Sequence, residues 1–281
     1  MKKTNDTIRT FNRFELKYIV TLKQAEAFRQ DMCPYMSADL NGTTSGRYRL
    51  GNLYYDSPDL RCYQEKENGI RVRRKLRIRY YETDALFTEE KPVFVEIKQR
   101  INRVTQKKRT ILTYFEALRL CNDRVLPDHL DEDKATLEEI YAFGWQYNLR
   151  PSMIVRYTRT AFVGKRFDIG LRITFDTSLI CQPYPLRLHE QLMELPMLDA
   201  GHVIMEIKVN DRIPIWLTQL IGKHNLKMVP FSKYGRSIAL CLANPAFYRK
   251  NGFIESAFDV VSSSYSVFQK QDTEFLQRKK A

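Results

Sequence analysis

The sequence predicts an α+β fold built around one long antiparallel sheet, with helices inserted between its strands. Two observations support this prediction. Several runs alternate charged and apolar residues, which is typical of a strand with one polar and one apolar face. The segments between these runs space their Leu, Ile, Tyr and Trp residues as helices do. Because a long open sheet leaves two edges to protect, we expect the strands to close into a barrel.

Strands dominate the first half of the chain. A first strand is followed at Thr21 and Gln24 by a capping-box pattern, which opens a helix reaching about residue 36. Asn41-Gly42 and Ser45-Gly46 are turn signals that separate this helix from the next strand. The predicted strands span 13–20, 47–55, 71–82, 93–100 and 104–112, and a short helix spans 59–66.

The middle of the chain is helical, and strands then return. Helices are predicted over 114–121 and 134–147, strands over 152–163, 167–177 and 203–210, and closing helices over 213–224 and 232–242. No composition break marks a linker before residue 245. We therefore expect one domain over residues 1–245 and a peripheral appendage over residues 246–281.

Composition favours an anionic partner. With 281 residues, 43% of them hydrophobic, the chain can bury a sizeable core. The net charge of +13 suits nucleic acid, an acidic membrane surface, or a phosphorylated small molecule or polymer, although a generic basic surface is the alternative. The five scattered cysteines form no CxxC pair, and no apolar run has the length of a membrane span. We expect a cytoplasmic protein with reduced thiols and no transmembrane segment.

One charged pattern recurs along the predicted strands. Glu15-Leu16-Lys17, Glu96-Ile97-Lys98 and Glu206-Ile207-Lys208 each place a carboxylate and a lysine on one face, while Lys75 to Arg79 alternates cations with apolar residues. Strand parity gives this face many cations: Lys17, Arg77, Arg79, Lys98, Arg159, Arg172 and Lys208. Such cations repel one another unless anions intervene, and arginine forks match phosphate oxygens. The face is therefore predicted to bind phosphates.

The carboxylates of this face, Glu15, Glu96 and Glu206, allow two interpretations. Each could neutralise a neighbouring lysine across the sheet, a pairing worth about 0.2–1 kcal/mol. Alternatively, one could bind Mg²⁺ or Mn²⁺, which favour carboxylate and phosphate ligands. The structural interpretation is favoured for any single glutamate, and at least one metal ligand is expected within the set.

Other familiar sites are missing from the sequence. It has no GxxxxGK[ST] loop, no GxGxxG and no nucleophile elbow. Its four histidines, at positions 129, 189, 202 and 224, show no metal-ligand spacing. No helix-turn-helix, RRM or zinc module is readable, so we expect no nucleic-acid partner.

A series of motifs, taken in order, resembles a known family. The motifs are Phe14 to Val20, Tyr54-Tyr55-Asp56-Ser57-Pro58, Lys75 to Tyr81, Val93 to Lys98, Tyr157 to Phe162, Leu171 to Thr177, Val203 to Lys208 and Phe231-Ser232-Lys233-Tyr234. Over about residues 12–243 they resemble the VTC domain, the polyphosphate polymerase branch of the triphosphate tunnel metalloenzymes. The resemblance implies a closed antiparallel barrel of about eight strands with flanking helices, whose bore is a basic tunnel.

The resemblance also implies a reaction and a set of site residues. ATP would bind with Mn²⁺ or Mg²⁺ and pass its terminal phosphoryl group to a growing polyphosphate chain. A membrane protein that carries the product away is a further partner implied by the family. The catalytic residues would be Arg77, Arg79, Lys98, Arg159 and Arg172. The substrate-binding residues would be Lys17, Lys66, Lys107 (or Lys108), Tyr157, Lys208, Ser232 and Lys233. Glu206 would bind the metal, with Glu15 and Glu96 as further candidates.

Two departures from the family pattern affect the choice of function. The hydrolytic branch begins with ExExK, but Arg13 stands here at the first acidic position, which favours the polymerase. Pro230 stands where polymerases often carry a lysine, so one phosphate contact is missing. Three alternatives stay open: a tripolyphosphatase or nucleoside triphosphatase on the same fold, a non-catalytic polyphosphate-binding module, and a basic barrel with solvated charges.

Overall fold

A computed structural model describes residues 14–39, 46–82, 86–102, 104–128, 131–166, 168–210 and 212–244. Within these residues the chain is α+β, with a ten-stranded antiparallel sheet and six α-helices. The expected appendage over 246–281 and the departure at Arg13 lie outside the described residues. The division at residue 245 therefore stays a prediction.

The predicted elements occur in the predicted order, together with two short strands, β2 and β9, that the sequence did not predict. They are β1 Phe14–Thr21, α1 Leu22–Met32, β2 Met36–Ala38, β3 Arg47–Asp56, α2 Arg61–Glu67, β4 Val72–Tyr81, β5 Pro92–Ile101, β6 Val104–Thr113, α3 Tyr114–Leu118, α4 Asp131–Gln146, β7 Arg150–Gly164, β8 Arg172–Gln182, β9 Leu195–Pro196, β10 His202–Val209, α5 Ile215–Lys223 and α6 Lys233–Leu242. A π-helical turn, Arg119–Asp123, continues α3. The predicted capping box at the start of α1 is confirmed, because Thr21 accepts a hydrogen bond from the Gln24 backbone.

The strands pair in the order β1-β10-β8-β7-β3-β4-β5-β6. The short strands β2 and β9 pair with β7 and β8, respectively. The first strand is thus paired with the last one, in a register that sets Lys17 opposite Glu206 and Glu15 opposite Lys208.

The prediction of a closed barrel is wrong. In the part of the chain that the structure describes, β1 and β6 end the sheet and no ladder joins them. Side chains bridge the gap instead: Lys98 Nζ on β5 donates to both carboxylate oxygens of Glu15 on β1, at 2.8 and 2.9 Å. The edge strand β6 carries three consecutive cations, Lys107 to Arg109. Charged edges resist strand pairing, which is consistent with an ion pair between β1 and β5, rather than a β1–β6 ladder, across the gap.

Two hydrophobic clusters lie on the convex face of this curled sheet. One packs β3 to β6 against α3, the π-helical turn and α4, with Leu76, Ile140 and Phe143 among its buried side chains. The other packs β1, β8 and β10 against α1 and α5. Because the helices cover the apolar face, the charged side chains of the same strands are directed to the concave face.

The helix α6 closes one end of the concave face. Its Tyr234, Ile238 and Cys241 are buried in a third cluster that includes Tyr54 of β3 and Met153 of β7. The Tyr234 ring stacks on Tyr54, with centroids 5.1 Å apart. The concave face is therefore covered by α6 at one end. Among the described residues no helix covers the other end, where β3 begins and β7 ends, and we call it the open end.

Candidate functional site

The strand register gathers most of the predicted site residues on the concave face. Side chains that are directly opposite in antiparallel strands share a face. Arg77 lies opposite Glu96, Lys98 opposite Lys107, and Arg159 opposite Asp176. The residues brought together by such pairs and their contacts are Glu15, Lys17, Arg77, Arg79, Glu96, Lys98, Lys107, Tyr157, Arg159, Arg172, Asp176, Glu206, Lys208, Ser232 and Lys233.

Glu96 anchors one group of cations. Its side chain is 1% exposed, and Arg77 donates to it from Nη2 at 2.6 Å and from Nε at 2.8 Å. Lys107 Nζ lies 3.1 Å from the other carboxylate oxygen of Glu96, and Arg79 Nη1 lies 3.9 Å from the oxygen that Arg77 binds. Burial opposes ionisation, but these three cations outweigh it and hold the pKa of Glu96 well below its usual range. As a metal ligand Glu96 stays a prediction; in this structure it is a counter-ion.

Asp176 and Glu206 anchor the second group. Arg159 binds Asp176 through two hydrogen bonds of 2.6 and 2.7 Å. Lys233 Nζ bridges the two carboxylates, 2.6 Å from Asp176 and 2.9 Å from Glu206. Burial alone would lower the pKa of Lys233, but Asp176 and Glu206 raise it above its usual value. Lys208 and Lys17 approach Glu206 at 3.2 and 3.6 Å.

Tyr157 lies between the two groups of cations. Arg79 Nη2 donates to its hydroxyl at 3.1 Å, and Lys233 Nζ lies 4.8 Å from its ring centroid. Burial would raise the pKa of Tyr157, but Arg79, Arg159 and Lys233 together lower it. The hydroxyl therefore lies where an anionic oxygen would be stabilised by one hydrogen-bond donor and by two further positive charges.

Two residues of the concave face, Lys75 and Asp176, were not among the predicted site residues. Lys75 Nζ donates to Ser232 Oγ at 3.0 Å and lies 5.2 Å from the Tyr234 ring centroid. Ser232 in turn caps α6 by accepting from the Gly235 backbone. Lys75 is two residues from Arg77 on β4, and Asp176 is four residues from Arg172 on β8. Because an even spacing in a strand puts two side chains on one face, parity alone could have assigned Lys75 and Asp176 to the concave face.

Some predicted residues lie at the margins of the concave face. Arg172 is at the open end, where its Nη2 lies 2.8 Å from Asp39 and donates to the Tyr48 hydroxyl at 3.0 Å. Lys66 lies on α2, which packs against β3, β4 and α6, and its Nζ pairs with Glu67 at 2.7 Å. Lys108 contacts Glu139 of α4 at 2.5 Å on the convex side. The register therefore favours Lys107 over Lys108 as the site residue.

A metal held entirely by protein side chains does not fit this site. Across the described ranges, no group of three or more His, Cys, Asp or Glu residues could hold a metal ion. Glu15 is bound by Lys98, and as a metal ligand it stays a prediction. Mg²⁺ and Mn²⁺ need one or two protein carboxylates when phosphate oxygens and water supply the other ligands. The donor set would fit a divalent ion that arrives with a triphosphate. In this structure Glu206 pairs with lysines and Arg159, and its role as the metal ligand stays a prediction.

Comparison with known proteins gives one family match. The sequence model of the VTC domain matches residues 12–242. No curated protein sequence matches the chain. In the described part of the chain, no helix is both long enough and apolar enough to cross a membrane.

Two solved structures are similar to the chain at low sequence identity. One, from Bacillus halodurans, is described as a "putative adenylate cyclase"; it has 13% identity and a TM-score of 0.46, over 80% of this chain and 95% of that chain. The other, PH1819 protein from Pyrococcus horikoshii, has 12% identity and a TM-score of 0.38, over 79% of this chain and 96% of that chain.

Proposed function

Because the chain belongs to the VTC domain family, which matches it over residues 12–242, we propose that it is an ATP-dependent polyphosphate polymerase. In this proposal the γ-phosphoryl group of ATP is transferred to the end of a polyphosphate chain on the concave face. Family membership alone supports a more general statement: this domain is of the tunnel type and acts on phosphate compounds.

One observation carries the proposal: on the concave face, cations outnumber carboxylates. Four carboxylates are surrounded by lysines and arginines: Glu15, Glu96, Asp176 and Glu206. A single one of them, Glu206, has four cations within 4 Å, namely Lys17, Arg159, Lys208 and Lys233. Cations crowded in this way repel one another unless further anions bind between them. A triphosphate and a polyphosphate end are anions of sufficient charge.

The side chains suit the needs of phosphoryl transfer, which depends on positioning and charge neutralisation. Arg77, Arg79 and Arg159 are fixed by Glu96, Asn52 and Asp176, so their remaining N–H groups are oriented before substrate binds. Lys17 and Lys233 add charge beside Glu206. A divalent ion bound through Glu206 and the phosphate oxygens would supply further charge neutralisation.

The rival functions predict different products. A tripolyphosphatase or nucleoside triphosphatase would release orthophosphate, because water would replace the phosphate acceptor. A non-catalytic module would bind the anion without turnover. The polymerase is favoured because the acceptor is itself a phosphate anion, whose repulsion by ATP is reduced by a shared set of cations.

The test is incubation of the full chain with γ-labelled ATP and Mn²⁺, followed by separation of the products by size. We expect a ladder of long phosphate chains, reduced at least tenfold by Lys17→Met and by Arg172→Gln. Both side chains are partly exposed, so their loss should disturb the fold less than loss of a buried cation such as Arg159. Lys108→Met, on the convex side, is the matched control and should be fully active.

Other outcomes would assign other functions. Orthophosphate as the sole labelled product would place the protein among the hydrolases. Absence of turnover with retained tripolyphosphate binding would indicate a binding module.

We assign the reaction to the cytoplasm as part of the same proposal. All five cysteines are free, and reduced thiols are typical of that compartment. A membrane protein that removes the product is proposed from the family resemblance alone. It would be tested by co-purification of the full chain from detergent-solubilised membranes.

A further inference from the structure

Three aromatic rings form a continuous row at the open end of the concave face. Tyr48, Tyr81 and Phe94 lie on the neighbouring strands β3, β4 and β5. The ring centroids of Tyr48 and Tyr81 are 5.4 Å apart, and those of Tyr81 and Phe94 are 5.7 Å apart. We call these three residues the aromatic ledge. Each ring is half-buried, so each presents part of its surface to solvent.

The register places the aromatic ledge directly beside the phosphate-binding cations. Tyr48 lies opposite Arg159, and Phe94 lies opposite Arg79, so these rings share the concave face with those guanidinium groups. Tyr81 lies two residues beyond Arg79 on β4, about 7 Å further along the strand. Buried Leu50 lies opposite Tyr81 on β3 and belongs to the cluster against which Tyr48 and Tyr81 pack.

Cations lie at both ends of the aromatic ledge. The guanidinium carbon of Arg109 is 4.9 Å from the Phe94 ring centroid, and Arg172 donates to the Tyr48 hydroxyl. Aromatic rings next to arginines provide the combination that binds a planar base joined to phosphates.

We propose that the aromatic ledge binds the base of a nucleoside triphosphate, whose phosphates extend inward to Arg79 and Arg159. This inference rests on the proposed function and specifies where the base of its nucleotide substrate binds. Inorganic polyphosphate has no ring, so the ledge would distinguish the phosphoryl donor from the polymer product. Stacking tolerates any base, but its strength depends on the ring surface of the base. Purine nucleotides should therefore bind somewhat more tightly than pyrimidine nucleotides.

The test compares the dissociation constants of ATP and inorganic tripolyphosphate for the full chain, by titration calorimetry at one salt concentration. We expect Phe94→Ala to weaken ATP binding at least fivefold and tripolyphosphate binding less than twofold. Phe94→Trp should restore ATP binding, because it returns a ring. The matched control is Phe115→Ala on α3, where an exposed ring lies 5.9 Å from Arg119 outside the concave face. It should change neither constant.

Two outcomes would overturn the inference while leaving the phosphate site intact. They are equal weakening of ATP and tripolyphosphate by Phe94→Ala, and unchanged ATP binding in that variant. Failure of the unaltered protein to bind tripolyphosphate would instead overturn the phosphate site itself, and the base site with it.

Discussion

Lys75 shows how a single residue acquires sensitivity to pH in this site. Its ammonium group contacts Ser232 Oγ and the Tyr234 ring. Burial lowers its pKa to about 7, and repulsion by Lys17 and Lys98 adds to the effect, while Cys62 and Asp56 oppose it. Arg77, which has Glu96 at hydrogen-bond distance, shows the opposite shift, a pKa above its usual value. The nearest partner therefore decides whether a cation here keeps its charge.

Binding of an anion should return the proton to Lys75. The unfolded side chain titrates near pH 10.4, so between pH 7 and about 10 the folded protein holds fewer protons than the unfolded chain. The stability penalty of Lys75 is full below pH 7 and declines as the pH rises through this window. At pH 8 we expect tripolyphosphate binding to take up protons, measured by calorimetry in buffers of different ionisation enthalpy.

Lys75→Met should reduce this proton uptake, because the titrating group is gone. Lys108→Met, on the convex side, should leave it unchanged. Equal uptake by Lys75→Met and the unaltered protein would contradict the assignment.

Strand parity predicted which residues share the concave face, but it could not predict their partners. Lys17, Arg77 and Arg159 could be assigned to this face from spacing alone, because the period of a strand is two. The contact of Lys98 with Glu15 depends on how far the sheet curls, which no local pattern encodes. The choice between Lys107 and Lys108 depends on the β5–β6 register.

Among the elements, β3 and β4 illustrate a close approach that requires glycine. Gly51 lies opposite Tyr80, and a Cβ at Gly51 would overlap the Tyr80 ring. The ring itself is held in place, because Tyr80 donates to the Leu188 carbonyl at 3.3 Å and packs edge-on against Phe87. The ring therefore covers the glycine and cannot move freely.

Gly51→Ala should destabilise the protein by about 1–3 kcal/mol, because the Tyr80 ring must shift within a packed cluster. The matched control is Gly222→Ala in α5, where nothing lies within 4 Å of the added methyl group. That change should stabilise by about 0.5–1 kcal/mol, through helix propensity. Chemical denaturation monitored by circular dichroism measures both. Equal effects of the two substitutions would show that Tyr80 adapts without cost.

Long elements could be predicted from the sequence better than short ones. The alternating pattern identified β1, β3 to β7 and β10, because each offers several periods. The strands β2 and β9, at three and two residues, are too short to show a period and were missed. The strand β8 was predicted over 167–177 but spans Arg172–Gln182. Gly170 has a positive φ of 95° in the turn that precedes it, so the chain is still turning where a strand was expected.

For the whole molecule, the main correction concerns closure. The family resemblance implied a barrel, yet the described strands form an open sheet whose ends are joined by side chains. Sequence could not reveal this difference, because a barrel and a curled sheet share the same alternation along each strand. The same residues share the concave face in both arrangements, so strand parity could assign them to it without predicting whether the sheet closes.

Tripolyphosphate should stabilise the folded protein. The concave cations repel one another, and a bound anion both relieves this repulsion and favours the folded state by mass action. At a ligand concentration of 100 times the dissociation constant, we expect a gain of about 2.7 kcal/mol. Thermal unfolding with and without tripolyphosphate measures it, with sodium chloride at matched ionic strength as the control. An equal shift in sodium chloride would indicate general screening of the surface charge.

The pairing of β1 with β10 has a consequence for the synthesis of the chain. Among the described strands β1 leaves the ribosome first, but the strand with which it pairs, β10, is the last of them to be made. Loop closure over so long a separation is entropically costly, so this pairing belongs to a late stage of folding. The first strand to be translated is therefore among the last to be secured. In the interval Glu15 and Lys17 keep one of its faces charged, which discourages mispairing between nascent chains.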